Sequence, residues 1–393
     1  MGALATSATA ETMTVAVCAG GGAVRVESRP RPEPGPGEIR LRLRVAGLCG
    51  TDLFKLQHDT AAPGSVLGHE IVGTVDAVGE GVVGYAIGDR VAVPHHVACG
   101  VCALCRRGSE PLCPAFRENL LFPGGFSESV LVRERAMRQA VFGLPDHLSD
   151  EAAVFLEPAA CVARGVRRSR LAEIALPGEE PAVAVLGAGS MGLLHLLVLK
   201  ALFPAVRIAV SDPLEDRCRI ALGLGADAAA PPAEIRDAVT SLSGGLGADG
   251  ADVVFDTVGG AGPLEDALAL SRPGGTTVLF AHASPLSPHP LAPSPGDGRN
   301  GPAEGRGGEG SGGGERAGFD LNAFFKSERK LIATYSSSLA DQRDAFRLLA
   351  TRRLDPSPLV THQLPLSRFA EAVELARERR ALKVLLLPEG ETP

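Results

Sequence analysis

The feature that most constrains what this chain can fold into is Gly187-Ala-Gly-Ser-Met-Gly192, set directly after the apolar run Ala182 to Leu186 and directly before a helical pattern. Glycines at its first, third and sixth positions allow a tight turn, close approach of the backbone to a pyrophosphate, and close packing of the next helix on the strand. The phosphate charge then meets a helix N-terminus. Asp212 follows Gly192 by 20 residues, at the end of the next apolar run, where a carboxylate can bond the hydroxyls of an adenosine ribose. Gly187, Gly189, Ser190, Met191, Gly192, Asp212 and Arg217 are therefore the candidate cofactor residues. The Asp212 carboxylate would repel a 2'-phosphate, which favours NAD over NADP, and Arg217 and Arg219 soften that preference.

Around the loop, short apolar runs at 183–186, 208–210, 253–255 and 277–280 alternate with helical stretches at 190–203, 214–224 and 263–270. Such alternation predicts an α/β unit with a parallel, doubly wound sheet, and Lys330 to Tyr335 reads as one more strand of it. The first 160 residues differ, with short runs such as Glu38 to Val45 and Ile71 to Val78 that suit irregular antiparallel strands. Helical patterns at 340–351 and 367–379 and a final buried strand, Leu382 to Leu387, close the chain. Ser284 to Gly318, dominated by Pro and then Gly, is too poor in apolar residues to fold alone and is expected to be a flexible insertion. Met1 to Thr12 reads as a disordered tail without an export signal, so a cytoplasmic protein is expected. No apolar run reaches the ~18 residues of a membrane helix. A net charge of -7 with scattered positive residues offers no basic surface, so neither nucleic acid nor membrane is an expected partner.

Four of the eight cysteines, Cys99, Cys102, Cys105 and Cys113, are spaced C-x2-C-x2-C-x7-C. Four thiolates so close together can enclose one Zn2+ tetrahedrally and leave no place for substrate, which is a structural site. An iron–sulfur cluster is the rival, but the Pro-marked continuation of that motif is absent. A second set is dispersed: Cys49, His69 and Glu70, and Glu157 supply sulfur, nitrogen and oxygen ligands with a coordination place open, as catalytic zinc requires.

With these constellations in this order, the sequence resembles the zinc-containing medium-chain alcohol dehydrogenase family, in its polyol (sorbitol) and threonine dehydrogenase-like branch. Gly68-His-Glu70, Gly79-Glu-Gly81, Gly88-Asp-Arg-Val91, Gly124-Gly-Phe126 and Leu156-Glu-Pro158 carry the resemblance together with the cysteine loop. It implies a distorted antiparallel β-barrel (GroES-like) catalytic domain made of 13–160 and 336–393, with a Rossmann domain, 161–335, inserted between. It also implies Cys49 and His69 as ligands of a catalytic zinc, with Glu157 where relatives use a second cysteine. In similar polyol enzymes the glutamate after the histidine, here Glu70, can enter the zinc shell while the later one acts through water. Thr51 matches the hydroxyl residue that touches the substrate oxygen and starts the proton relay.

The reaction implied is hydride transfer from a small secondary alcohol, a polyol, cyclitol or sugar derivative, to NAD, by an enzyme that is a homodimer or homotetramer like many relatives. The alternatives are a threonine-type amino-alcohol dehydrogenase, a zinc-free quinone reductase of the same fold, or a non-catalytic NAD-binding protein. Two positions depart from the family pattern: Phe54 stands where many relatives continue the relay with histidine, leaving His58 or water, and Ser129 stands where relatives often have tyrosine. Phe54, Phe122 and Phe126 are candidates for an apolar pocket wall. His95 and His96 read as loop residues, and Cys18, Cys161 and Cys218 as core.

Overall fold

A computed structural model describes residues 11–243, 249–281 and 318–390. The expected insertion over 284–318 lies outside the described residues apart from Gly318, and so does the expected tail up to Ala10. Thr12 already opens the strand Thr12–Gly20. The chain forms two compact units, one ending at Arg164 and resuming at Tyr335, the other spanning Gly165–Thr334. Among the described residues no helix is long and apolar enough to cross a membrane.

The Gly165–Thr334 unit is a parallel sheet of six strands, in the order Ala228–Ala230, Arg207–Ser211, Ala182–Leu186, Ala251–Asp256, Ser271–Leu279 and Lys330–Ala333. This is the strand order of a doubly wound dinucleotide fold. The first strand in sequence lies centrally, with Val185 paired to Val210 on one side and Phe255 on the other. It is covered on both faces, which is why its sequence is uniformly apolar rather than alternating. The glycine loop leaves its C-terminal end and runs into the helix Ser190–Leu202. The helix Ile235–Leu242 has no counterpart in the sequence reading, because Ile235, Val239 and Leu242 alone carry its apolar face.

The other unit holds the barrel-like sheet, antiparallel except for the parallel pair Val360–Pro365 and Lys383–Leu387. Its strands follow the order Val360–Pro365, Lys383–Leu387, Ile39–Gly47, Glu70–Val78, Arg90–Pro94 and Phe142–Gly143, with Ser129–Val132 also paired to Ile39–Gly47. Register decides what these strands bring together. Gly47 stands opposite Glu70 and Leu385, and Glu70 stands opposite Pro94, so three strand ends meet beside the middle of a fourth strand. A second element without counterpart in the sequence reading is the helix Leu156–Ser169; the chain passes from one unit to the other within it.

His195 sits fully buried in the helix that follows the glycine loop, ringed by Phe255 and Phe280 at 5.0 and 4.5 Å. Its Nδ1 contacts the Met191 carbonyl at 2.7 Å, whereas its Nε2 is buried without a partner. Burial pulls its pKa down to about 4, with the Met191 carbonyl working weakly the other way. A histidine depressed in the folded state stabilises fully above its unfolded value near 6.5, and that stability is lost as pH falls through about 4. Between pH 7 and 4 the native protein should therefore lose roughly 3 kcal/mol more than a His195→Leu variant. Equal pH slopes in urea titrations of the two proteins would show that His195 does not titrate on unfolding.

Candidate metal centre and cofactor loop

The helix Gly50–Gln57 begins where the strand Ile39–Gly47 ends, and Cys49 is its N-cap. His69 and Glu70 enter on the neighbouring strand, so the pairing of Gly47 with Glu70 fixes all three side chains at one sheet end. The ligand atoms of Cys49, His69 and Glu70 lie within 4.8 Å of one another.

Each is held from behind. Asp52, fully buried in the first turn of the helix, accepts the Cys49 amide at 3.1 Å and the Gly68 amide at 3.3 Å, and its Oδ1 faces His69 Nδ1 at 3.4 Å. A carboxylate on Nδ1 fixes the imidazole plane and leaves Nε2 as the metal-binding nitrogen. Burial works against charge on both partners, but the pairing wins: the Asp52 carboxyl is held below its ordinary pKa, and the His69 imidazole, with Asp52 and Cys49 beside it, is held well above. Glu70 is clamped by Lys383, whose Nζ lies 2.6 Å from Oε2 and also donates to the Leu48 carbonyl at 3.3 Å. Burial would strip the proton from Lys383, yet Glu70 and Cys49 keep its pKa above the ordinary value. A Cβ on Gly47 would collide with Glu70 Oε2, so only glycine lets the carboxylate sit there.

Whether this set fits a zinc ion can be judged from the atoms left over. Glu70 Oε1 is buried with no partner, an acceptor that water or protein would ordinarily satisfy. A thiol, an oriented imidazole and an orphaned carboxylate oxygen form a three-ligand set of the kind that zinc takes at open sites. Glu157 is not in that set. It lies in the first turn of Leu156–Ser169, where its Oε1 accepts the Cys161 thiol at 3.5 Å. Burial and then Glu70 push its pKa up, while His69 and Lys383 pull the other way, so it shares the field of the cluster from outside it. Thr51 lies half-buried in the first turn of the cysteine's helix.

The four cysteines form a second group. Cys102 Sγ lies 3.4 Å from Cys105 Sγ, Cys113 Sγ 3.5 Å from Cys99 Sγ, and Cys99 Sγ 3.9 Å from Cys105 Sγ. Sulfurs of a tetrahedral zinc site with Zn–S bonds of about 2.3 Å stand about 3.8 Å apart, whereas a disulfide needs about 2.05 Å. The backbone amides of Val101 and Cys102 draw the Cys99 thiol down to about 6, and the Cys105 amide lowers Cys102. Burial sends Cys105 the other way, to about 12. Phe116, fully buried, packs with Ala98, Cys105 and Cys113 and gives the lobe its small core.

In the other unit, a Cβ on Gly192 would strike the Gly187 carbonyl, and one on Gly187 would stand 2.8 Å from Thr257 Oγ1, so both glycines let the helix close on the strand. Gly189, the N-cap of that helix, has nothing within 4 Å of its missing Cβ, which leaves open space beside the helix N-terminus. Ser190 Oγ is buried there without a partner, an orphan that an anionic oxygen would satisfy. Met191 follows in the first turn. Asp212 accepts Ala188 N at 2.8 Å and Leu214 N at 2.9 Å, which ties its carboxylate to the glycine loop. Arg217 is near enough for Asp212 to support its charge, although burial lowers its basicity.

Several readings need correction. Cys161 is not core: it is half-buried on the helix turn after Glu157 and donates to that carboxylate. His95 and His96 do lie in the loop after the strand Arg90–Pro94, as expected, but they are not idle there. Their rings form a column with His69, at centroid spacings of 4.6 and 3.6 Å, that ends on Phe116 at 5.2 Å. Phe126 is fully buried against Phe369 at 4.8 Å and so belongs to the core, and Phe122 is half exposed beneath the Arg133 guanidinium. Asp52 and Lys383 were missed outright. Asp52 stands three residues after the N-cap Cys49, where a capping acid is expected, and Lys383 is a lone cation inside an apolar strand; both are signals in their own right.

Comparison with known proteins places the geometry. The family described as Alcohol dehydrogenase GroES-like domain matches residues 35–146, and the one described as Zinc-binding dehydrogenase matches 190–295. The chain belongs to the zinc-binding alcohol dehydrogenase family. Its activity is that of an NAD(P)-linked alcohol dehydrogenase. Among the most similar relatives of this dehydrogenase is a sorbitol dehydrogenase of Arabidopsis thaliana, 33% identical over 63% of this chain and 68% of that one. Among solved structures, alcohol dehydrogenase TADH from Thermus sp. ATN1 is 30% identical with a TM-score of 0.75, over 96% of this chain and 100% of that one. A zinc-binding dehydrogenase from Sinorhizobium meliloti 1021, bound to NADP, is 25% identical with a TM-score of 0.78, over the same shares.

The buried pair under the metal centre generates a prediction. Lys383→Met leaves the Glu70 carboxylate buried and uncompensated and should destabilise the metal-free dehydrogenase by about 3–5 kcal/mol, with Lys383→Arg recovering part of the loss. Denaturant titrations of the three proteins check this. A loss below about 1 kcal/mol for the Met variant would mean that water reaches the Glu70 carboxylate.

Proposed function

We propose that this dehydrogenase oxidises a secondary alcohol flanked by further hydroxyls, in a polyol, cyclitol or sugar derivative, with NAD as hydride acceptor. The observation that carries the reading is a carboxylate, Glu70, as the third member beside Cys49 and His69, with Glu157 rather than a cysteine at the position where relatives use a second thiolate. An oxygen ligand exchanges with water more readily than a thiolate and so leaves room for two neighbouring substrate oxygens. The sorbitol dehydrogenase relative supports the same substrate class. A cytoplasmic, homo-oligomeric enzyme accompanies this reading.

Zinc at Cys49, His69 and Glu70 would supply Lewis acidity toward the alcohol oxygen, and a nicotinamide ring would accept the hydride. The protein's own part is to hold and orient. Asp52 keeps His69 in one tautomer, Lys383 keeps one oxygen of Glu70 occupied so that the other faces the cluster, and Glu157 stands behind as a second carboxylate acting through water. Thr51 is the hydroxyl that takes the alcohol proton. Phe54 has no proton to exchange, and its ring packs tilted against His58 at 4.4 Å, so the path onward from Thr51 runs through water. At the loop, Gly187, Gly189, Ser190, Met191 and Gly192 would hold the pyrophosphate, and Asp212 would bond the ribose diol, with Arg217 beside it.

Three measurements test the proposal. Metal analysis should return two zinc ions per chain. Cys105→Ser should mainly lower stability, whereas Cys49→Ala should abolish turnover with little unfolding; one zinc, or iron, contradicts the assignment. NAD should be preferred over NADP, and Asp212→Ala should weaken NAD and narrow the gap; equal use by the unmodified enzyme would put Arg217 in control. Finally, kcat/KM with sorbitol or a cyclitol should exceed that with threonine or matched simple alcohols by about tenfold or more, because an analogue without the second hydroxyl strands buried polar groups. Simple alcohols winning by that margin would sink the polyol reading and leave the zinc dehydrogenase assignment alone standing.

A further inference from the structure

Among the described residues four thiols gather at one place, the lobe of Cys99, Cys102, Cys105 and Cys113. A tetrahedral zinc site by itself asks for equal sulfur spacings, about 3.8 Å at Zn–S bonds of about 2.3 Å. The spacings here are unequal. Cys102 and Cys105 stand 3.4 Å apart and Cys99 and Cys113 3.5 Å, whereas Cys99 and Cys105, taken across the two pairs, stand 3.9 Å apart. The lobe thus holds two close pairs rather than four equivalent ligands.

Burial divides each pair in the same way. Cys99 and Cys102 are half-buried, whereas Cys105 and Cys113 are buried, at 8% and 3% exposure. Each close pair therefore joins one sulfur that a small solute can reach to one that is shielded. An accessible sulfur takes the first oxidation, and a shielded thiol already in contact with it closes the disulfide before a second oxidant arrives. Closing needs a contraction of about 1.4 Å from these contacts to an S–S bond. Local structure favours the same pairs: Cys102 and Cys105 flank the first turn of the helix Ala103–Arg106, and Cys113 Sγ already accepts the Cys99 amide at 3.5 Å. The metal centre lacks such a route, since Cys49 is the one sulfur of its set.

We propose that the lobe is an oxidation site for a hydroperoxide, at which Cys102–Cys105 and Cys99–Cys113 disulfides form and the zinc ion is given up. With hydrogen peroxide, the accessible thiolate, Cys102 or Cys99, attacks one oxygen: an S–O bond forms, the O–O bond breaks, and hydroxide leaves. The shielded thiolate, Cys105 or Cys113, attacks the resulting sulfenic sulfur: the S–S bond forms, the S–O bond breaks, and a second hydroxide leaves. Two protons from solvent convert the hydroxides to water, so each disulfide gives up two electrons and reduces one peroxide. Disulfide sulfur carries no charge to hold a cation, and Zn2+ departs. The two bonds then staple the same four positions, which keeps the lobe closed without metal. Arg135 supports it from outside, donating to the Val97 and Ala115 carbonyls at 3.1 and 2.9 Å. The inference rests on zinc at the four cysteines and holds whatever alcohol the enzyme oxidises.

The test treats the full-length, zinc-loaded protein with hydrogen peroxide, as wild type and as Cys49→Ala, so that the thiol of the metal centre cannot account for the result. Metal content is measured first. A lobe without zinc at that stage overturns the zinc assignment, and the thiol pairing is still decided by the mapping that follows. Two equivalents of peroxide per chain should release one zinc ion to a chromogenic chelator from either protein. Peptide mapping by mass spectrometry should find Cys102 joined to Cys105 and Cys99 to Cys113, while the far-ultraviolet circular dichroism stays unchanged. Dithiothreitol with added zinc should restore the starting metal content. Zinc retained at about tenfold excess of peroxide, a mixture of other pairs, or sulfinic acids in place of disulfides would each overturn the site. So would loss of folded structure together with the metal, since release would then follow from unfolding.

Discussion

Beneath the metal centre a carboxylate and an ammonium are buried side by side, and the barrel is arranged so that neither is left alone. Glu70 and Lys383 are 0% and 3% exposed at their side chains and 2.6 Å apart. Two charges removed from water are tolerated only with close geometry and with their remaining hydrogen-bonding capacity used. Leu48 supplies a carbonyl to the lysine, Gly47 supplies the room, and the pairing of strands Ile39–Gly47 and Lys383–Leu387 fixes the approach. What remains is one unpartnered oxygen of Glu70, facing Cys49 and His69. The pair thus turns a stability problem into a directed ligand, which is the use to which a zinc dehydrogenase can put it.

Orientation of the histidine follows the same logic by a shorter route. Asp52 acts on three groups at once, the Cys49 amide, the Gly68 amide and the His69 ring, and so ties the helix start to the neighbouring strand. A substitution there would loosen two ligands together. The two halves of the candidate chemistry are supported differently: backbone hydrogen bonds place the glycine loop and Asp212, whereas buried charge places the metal ligands.

What could be read in the sequence was what is local in it. The cysteine loop, Gly187 to Gly192 and the alternation of apolar runs all announce themselves within a few residues, and the strands Ala182–Leu186 and Ala251–Asp256 fall on those runs. Lys383 could not be assigned, because its meaning depends on a strand register that joins residues 313 apart. The histidine column was hidden for a similar reason: His95 and His96 look like idle loop residues until the pairing of Pro94 with Glu70 brings them beside His69. Phe126 misled in the opposite sense, an aromatic next to a family motif whose ring is needed against Phe369 in the core. The helix Leu156–Ser169 was obscured by Glu157-Pro158 at its start, a sequence that reads as a break yet is tolerated in a first turn.

The lysine beneath the metal centre also has a consequence in time. A ribosome delivers Glu70 long before the strand that carries Lys383, with the whole nucleotide-binding unit synthesised in between. That intervening unit has its own continuous sheet and can fold as it emerges, as domains generally do during synthesis. The barrel must wait, holding a carboxylate that has no counter-charge and is better left hydrated than enclosed. Enclosure of Glu70, and with it a firm grip on a metal ion, is thereby postponed until the strand Lys383–Leu387 has been made, so that a chain still lacking that strand carries an open and wet metal centre.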